Sequence, residues 1–161
     1  MTAEMITPEM VRLIEEQRLG FIATVNPDGS PNLSPKGTFV ALDGHTIAFA
    51  EMRSPRTLSN IGRDGRVEVN IVDPFGRKGT RFRGAARFVM RGEGEFDRLY
   101  PKWQAVWGDE LGALFNGFVL ITVESARPLT TPAYDIGATE RELREQWLAK
   151  HTAIQRRYLD G

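Results

Sequence analysis

The sequence predicts a mainly β protein, an antiparallel barrel of about six strands with helices at its periphery. Segments with a period-two alternation of apolar and polar residues follow one another and are separated by tight turns. The strand–helix–strand alternation that builds parallel sheets is missing, and helical patterns occur only at the two ends or as short insertions. Together these patterns favour antiparallel strands that curl around a core.

Length and composition indicate a single domain that spans residues 1–161. The 21 basic and 21 acidic side chains balance, so we expect no global attraction to nucleic acid or to a membrane surface. The chain has no cysteine, which excludes disulfides, thiolate catalysis and cysteine-ligated metals. Because His45 and His151 are the only histidines and lie far apart, we expect neither a histidine metal site nor a Ser-His-Asp hydrolase.

The first ten residues and the overall hydropathy indicate a cytoplasmic protein. The segment carries Glu4 and Glu9 and has no basic flank before an apolar stretch, so it does not resemble a secretory signal. Apolar runs also stay well below the ~20 residues that span a membrane.

The first half of the chain predicts a helix followed by three strands. Thr7-Pro8 is typical of a helix start, and this helix ends before Gly20. Phe21 to Val25 alternates as a strand and stops at the turn Asn26–Gly29. A second extended stretch, Pro31 to Leu42, is joined to a third, Thr46 to Met52, by Asp43-Gly44, which is a strong hairpin signal.

The middle of the chain predicts a short helix from Ser54, a half-buried strand from Val67 to Ile71 and an exposed loop. The strand from Thr80 to Met90 then places apolar side chains on one face and Arg81, Arg83 and Arg87 on the other.

The last third predicts helices over Phe96–Trp107 and Glu110–Phe115, then a strand, Phe118 to Val123, that is buried on both faces. A capping box, Thr139-x-x-Glu142, opens a terminal helix. Its stripe of Leu143, Trp147, Ile154 and Tyr158 is expected to dock on another surface. The predicted parts of the domain are an N-terminal helix (1–19), the barrel (20–130) and a C-terminal helix (138–161).

The segment Ser54-Pro55-Arg56-Thr57 is the most informative candidate for a binding site. A helix N-terminus offers unpaired N–H groups and partial positive charge, and Arg56 and Thr57 add donors for a phosphate. The alternative is a simple cap at Ser54 with a solvated Arg56. Lys36, within a strand that also carries Ser34, Gly37 and Thr38, protects a sheet edge or contacts a ligand.

With these segments in order, the sequence resembles the pyridoxamine 5'-phosphate oxidase-like family of flavin-binding split barrels. The resemblance runs from about Gly20 to Val123 and rests on the opening Ala23-Thr24-Val25-x-x-Asp28-Gly29-x-Pro31. It rests equally on a later segment that combines Ser54, Arg56, Thr57, Asn60 and Ile61 with Asp64 and Arg66-Val67.

The resemblance implies FMN bound at a homodimer interface, in a six-stranded split barrel. Phosphate contacts would come from the helix after the third strand, and the second strand would line the isoalloxazine and ribityl. Lys78 and Thr80 match positions that touch the flavin from the partner subunit. The cofactor-binding residues expected in this way are Ser34, Pro35, Lys36, Gly37, Thr38, Ala50, Glu51, Ser54, Arg56, Thr57, Asn60, Lys78 and Thr80.

The C-terminus departs from true pyridoxine phosphate oxidases, because residues 155–161 lack the arginine- and histidine-containing signature that holds the substrate phosphate. We therefore expect an FMN-dependent oxidoreductase that acts on a small molecule, with NAD(P)H or oxygen as redox partner, and not on the vitamin phosphate. His151 alone does not reproduce the histidine-bearing extension of haem-degrading relatives. No catalytic residue is identified.

Other functions remain open at this point. One is a non-catalytic flavin carrier or electron-transfer module on the same fold. Another is a deazaflavin-dependent reductase, because those relatives share the barrel but have a more basic groove, and Arg81, Arg83 and Arg87 are compatible with such a groove. Binding of single-stranded nucleic acid through Arg81, Arg83 and Arg87 is disfavoured, because Phe82 and Phe88 alternate to the opposite face and cannot interleave with the basic residues.

Overall fold

The computed structural model describes residues 5–160, so residues 1–4 of the predicted N-terminal segment and residue 161 lie outside the described part. The elements in chain order are α1 (Pro8–Gln17), β1 (Gly20–Val25), β2 (Pro31–Lys36), β3 (Val40–Ala41), β4 (Thr46–Glu51), α2 (Pro55–Arg63), β5 (Arg66–Asp73), β6 (Lys78–Met90), α3 (Gly94–Gly112), β7 (Gly117–Thr130) and α4 (Glu140–Leu159).

The strands of the described residues form one seven-stranded antiparallel sheet in the order β2-β1-β5-β6-β7-β4-β3. This confirms the antiparallel split barrel with peripheral helices, with seven strands in place of six. The extra strand arises because the stretch predicted as one strand, Pro31 to Leu42, divides at residues 37–39. Its first part pairs with β1 and its second part with β4, so the two halves form opposite edges of the sheet.

Side chains on the two faces of the curled sheet form two apolar clusters. The interior cluster contains residues such as Ile22, Phe49, Val69 and Ile121, and α1 contributes Ile14 to it. The other lies between α3 and the outer face of the sheet. Strand β7 serves both clusters, because Val119 and Ile121 point inward while Phe118 and Leu120 face α3. The prediction that this strand is buried on both faces is therefore confirmed for Phe118–Ile121, whereas Thr122 is exposed.

Helix α3 is one element with a break at Gly108, where the backbone has φ of 71°. The two helices predicted on either side of Gly108 are thus nearly continuous. Pro101 does not end the helix. Trp103 is fully buried against Phe118, with ring centroids 4.0 Å apart, so it belongs to the core.

Helix α4 opens with the predicted capping box, since the Thr139 hydroxyl accepts the Glu142 N–H and the Glu142 carboxylate accepts the Thr139 N–H. Its apolar stripe docks only in part, because Leu143 is buried whereas Tyr158 is 78% exposed. Within residues 5–160, no helix is both long and apolar enough to cross a membrane.

Candidate functional site

The first turn of α2 leaves backbone donors open. Pro55 has no N–H, and within residues 5–160 the N–H groups of Arg56 and Thr57 have no acceptor. Ser54 stands at the N-cap position, but its side chain makes no capping bond. Its N–H and hydroxyl both donate to the same carboxylate oxygen of Glu51, the hydroxyl at 3.0 Å. The interpretation of Ser54 as a simple cap is therefore wrong.

Glu51 anchors the loop that leads into α2. Its side chain is buried at 2% exposure, and its second carboxylate oxygen accepts the Asn116 amide at 3.1 Å. The same amide donates to the Met52 carbonyl at 2.8 Å. Because all of these groups are paired with one another, the loop has a fixed conformation and the open donors of the first turn have a fixed direction.

Strand β2 presents alternate side chains, Asn32, Ser34 and Lys36, as a half-buried row. The Lys36 ammonium donates to the Ser34 hydroxyl at 2.7 Å and lies 5.7 Å from the centre of the Phe49 ring. Burial lowers the pKa of Lys36, and the negative charge of Glu51 partly offsets that effect.

The segment after β2 is held from two sides. The Thr38 hydroxyl accepts the Ala50 N–H at 3.0 Å and donates to the Ala50 carbonyl at 3.2 Å. The indole N–H of Trp103 donates to the Thr38 carbonyl at 2.9 Å. Next to this fixed point, a Cβ at Gly37 would meet no atom within 4 Å. The backbone at Gly37 therefore faces open space, and the hydrogen bonds of the neighbouring Thr38 hold it in place.

These groups surround a cleft of about 610 Å³ between β2, the end of β4 and the loop before α2. A volume of this size is typical of sites for small molecules and cofactors. Its lining residues are Ser34, Pro35, Lys36, Gly37, Thr38, Ala50, Met52, Arg53, Ser54 and Leu114.

The remaining expected cofactor residues on α2 and β4 lie around the cleft and do not line it. Glu51 is beneath the loop, and Arg56 is exposed on the first turn of α2. Thr57 and Asn60 are buried on the side of α2 that faces β1 and β2. Asn60 donates to Thr24 and Asn26 at 3.0 Å each, which ties the helix to the barrel.

Lys78 and Thr80 line a second cavity, of about 420 Å³, between α1, the start of β6 and α4. The Lys78 ammonium pairs with Glu140 at 2.9 Å and lies 3.8 Å from Glu9. Hydrogen bonds from Lys78 and Arg144 hold the pKa of Glu140 below its ordinary value. Within the described subunit, this cavity shares no lining residue with the cleft beside α2.

Three cleft residues, Met52, Arg53 and Leu114, were not among the expected ones. Arg53 carried a signal, since it stands next to the Ser54–Thr57 motif. No sequence pattern pointed to Leu114, because it reaches the cleft only through the docking of α3 on the sheet. No group of three or more His, Asp or Glu side chains that could hold a metal is found among residues 5–160.

The arginines on the outer face of β6 are mostly paired with carboxylates. Arg81 and Arg83 share Glu68, at 3.2 and 2.8 Å, and Arg87 pairs with Glu95. Phe82 is buried on the opposite face. This face therefore lacks the exposed aromatic side chain at Phe82 that a stacking platform for nucleic acid would use.

Solved structures share this fold. HupZ of Group A Streptococcus is 30% identical, with a TM-score of 0.67, over 79% of this chain and 96% of that one. An FMN-binding protein of Syntrophomonas wolfei is 16% identical, with a TM-score of 0.60, over 76% and 86%. HutZ of Vibrio cholerae, described as a heme storage protein, is 19% identical, with a TM-score of 0.61, over 76% and 93%. The last two show likeness of fold alone.

No curated protein matches the chain significantly. The family profile described as pyridoxamine 5'-phosphate oxidase matches residues 6–130, which include all seven strands and the cleft beside α2. The extent of that match, together with the likeness to HupZ, shows that the chain belongs to the pyridoxamine 5'-phosphate oxidase family.

Proposed function

We propose that the protein binds FMN in the cleft beside α2 and is a flavin-dependent oxidoreductase. The observation that carries the proposal is the pair of open N–H groups at Arg56 and Thr57, next to a cleft that Lys36 and Gly37 also line. Family membership and the FMN-binding relative support it.

The donor set fits the chemical groups of FMN. The phosphate dianion would accept the N–H groups of Arg56 and Thr57, with the Arg56 guanidinium as a charged donor. The Lys36 ammonium and the open backbone at Gly37 would face the polar edge of the ring system. Bound FMN supplies hydride and electron transfer, and the protein supplies position and electrostatics.

The reaction would be oxidation or reduction of a small molecule, with NAD(P)H or oxygen as redox partner. A flavin carrier or a deazaflavin-dependent reductase would use the same cleft, and anaerobic addition of NADH or NADPH separates carrier from enzyme. Bleaching of the flavin absorption at catalytic rates requires a nicotinamide site. Haem, suggested by HutZ, is less well supported, because neither His45 nor His151 lines the cleft.

The test is FMN retention by an Arg56→Glu variant, which places a carboxylate where the phosphate would bind. We expect the purified wild-type protein to hold FMN and the variant to lose it in a fluorescence titration. Arg98→Glu, an equal charge change on an exposed residue of α3, is the matched control and should retain FMN. Equal FMN affinity in Arg56→Glu and wild type would contradict the site.

We also propose a homodimer. Leu33, Phe21 and Val72 expose apolar side chains on neighbouring strands, Leu33 at 66%. A second copy would cover this apolar patch on β1, β2 and β5 and would bring its Lys78 and Thr80 towards the flavin. Light scattering should give twice the chain mass. A monomer that retains FMN at micromolar concentration would contradict the shared site.

The substrate would not be pyridoxine or pyridoxamine phosphate. A substrate phosphate needs several charge-assisted hydrogen bonds, and Arg156 and Arg157 stand exposed on the last turn of α4. Adjacent helical residues point about 100° apart, so the two cannot easily hold one phosphate. An assay of pyridoxal phosphate formation under air should show no turnover near ordinary enzyme rates.

A further inference from the structure

A small cavity of about 110 Å³ lies where β6 and β7 pair, and it is lined by Arg81, Arg83, Ser125 and Arg127. In the register of the sheet, Arg81 stands directly opposite Arg127, and Arg83 opposite Ser125. Three guanidinium groups and one hydroxyl therefore surround one space. Within the described chain, the cavity shares no lining residue with the cleft beside α2.

A β-bulge assembles this cluster. The register shifts between Arg83 and Gly84, so Gly84 pairs with Val123 while Arg83 pairs with Ser125, and Glu124 is the additional residue. Without the shift, Arg83 would stand opposite Glu124, a pair of opposite charges. The bulge instead places a hydroxyl opposite Arg83 and a second arginine opposite Arg81.

The cluster carries excess positive charge. Glu68 is the acidic partner of both Arg81 and Arg83. Arg127 has no acidic partner among residues 5–160. Like charges directly opposite each other on neighbouring strands destabilise a sheet. The three cations have a single carboxylate partner, which Arg81 and Arg83 share, so an anion that binds between them would stabilise the cluster.

We propose that this cluster binds a tetrahedral oxyanion, as free inorganic phosphate or as the phosphate group of a small phosphomonoester. The cavity has the volume of a few water molecules of about 30 Å³ each, which suits one phosphate group and falls well below the usual size of a cofactor site. Guanidinium groups bind phosphate oxygens in pairs, and the Ser125 hydroxyl adds a further donor. The site is separate from the proposed flavin site and extends the function beyond it.

The test is calorimetric titration of the purified protein with inorganic phosphate and with glycerol 3-phosphate, against chloride at matched ionic strength. Arg127→Gln removes the unpaired guanidinium and should weaken binding about tenfold or more. Arg127→Lys keeps the positive charge but loses the paired N–H donors of the guanidinium, and it should give an intermediate affinity. Arg156→Gln, which changes another exposed arginine, on α4, should bind as wild type.

Binding of both ligands would support free phosphate as the natural form, and binding of glycerol 3-phosphate alone would support a phosphomonoester. The proposal is overturned if neither ligand binds, or if Arg127→Gln binds as tightly as wild type. It is also overturned if Arg56→Glu abolishes binding while Arg127→Gln does not, a result that would still support the proposed FMN site. Binding of a single-stranded oligonucleotide without binding of either phosphate ligand would overturn it as well.

Discussion

Helix α2 is held to the barrel by buried hydrogen bonds and apolar packing, whereas helix α4 is held largely by ion pairs whose basic members are partly exposed. In α2, Thr57, Asn60 and Ile61 are all buried, and the Asn60 amide bonds two residues near the end of β1. In the described part of α4, which is about twice as long, Leu143 alone is buried. Its contacts to the barrel include Arg144 with Asp73 at 2.5 Å and Lys78 with Glu140 at 2.9 Å.

The length of a helix therefore does not set the strength of its attachment. Ion pairs with partly exposed members are weakened by salt and contribute little each, whereas buried hydrogen bonds and apolar contacts are costly to break. The short helix therefore serves as a rigid support for the cleft. The long helix is a peripheral element whose attachment depends on pH and salt.

The largest expected difference between the two helices is in apolar packing. Ile61→Ala should lower the free energy of unfolding by about 2–5 kcal/mol, because Ile61 belongs to the interior cluster and its loss leaves a cavity. Leu148→Ala on α4 should change it by about 0.5 kcal/mol or less, since Leu148 is 57% exposed. Urea unfolding measures both. Similar losses in the two variants would contradict the comparison.

A smaller effect is expected from the buried amide of α2. Asn60→Ala should lower the free energy of unfolding by about 1–3 kcal/mol, because it removes both hydrogen bonds that link the helix to Thr24 and Asn26. Ser59→Ala, at an exposed neighbouring position, is the control and should stay within about 0.5 kcal/mol of wild type. A neutral Asn60→Ala would mean that packing alone attaches α2.

The smallest effect is expected from the ion pairs of α4. Burial raises the pKa of Asp73, but the N–H groups of Gly76 and Phe75 and the Arg144 guanidinium outweigh it, so the pKa lies below 3.8. Groups with a lowered pKa stabilise the folded state above their unfolded pKa and lose that contribution as the pH falls through the folded value. Arg144→Gln should therefore cost about 1 kcal/mol at neutral pH, because Arg144 is partly exposed and the buried Asp73 carboxylate keeps its hydrogen bonds from the Phe75 and Gly76 N–H groups.

The pH and salt dependence of the destabilisation by Arg144→Gln distinguishes ion pairing from side-chain packing. The difference between wild type and Arg144→Gln should be largest above pH 4.5, the ordinary pKa of Glu140, and should decline progressively below pH 3.8, as the pH approaches the lowered pKa values of Glu140 and Asp73 in the folded protein. High salt should reduce the difference at pH 7. A difference that is unchanged across this range would show that Arg144 acts through packing of its side chain.

Much of the fold was predictable because its signals are local. The Asp43-Gly44 hairpin, the Thr139 capping box and the alternation of Val67, Val69 and Ile71 each depend on residues that are close in sequence. The strand count was wrong by one for a reason that is not local. Residues 37–39 read as a continuation of an extended segment, and only their bonds to distant partners, such as Trp103 with Thr38, divide it.

The family, the antiparallel barrel and the contribution of Ser34–Thr38 to the cleft were all predictable from the sequence, because local periodicity and short motifs depend on neighbouring residues. Three features required the folded structure. Glu51 accepts the N–H and hydroxyl of Ser54, so that Ser54 does not cap α2. Leu114 lines the cleft, and a β-bulge brings Arg81, Arg83 and Arg127 together. Each of these depends on strand register or on helix docking. Such long-range contacts are set by the packing of the whole barrel and leave no pattern in any single segment.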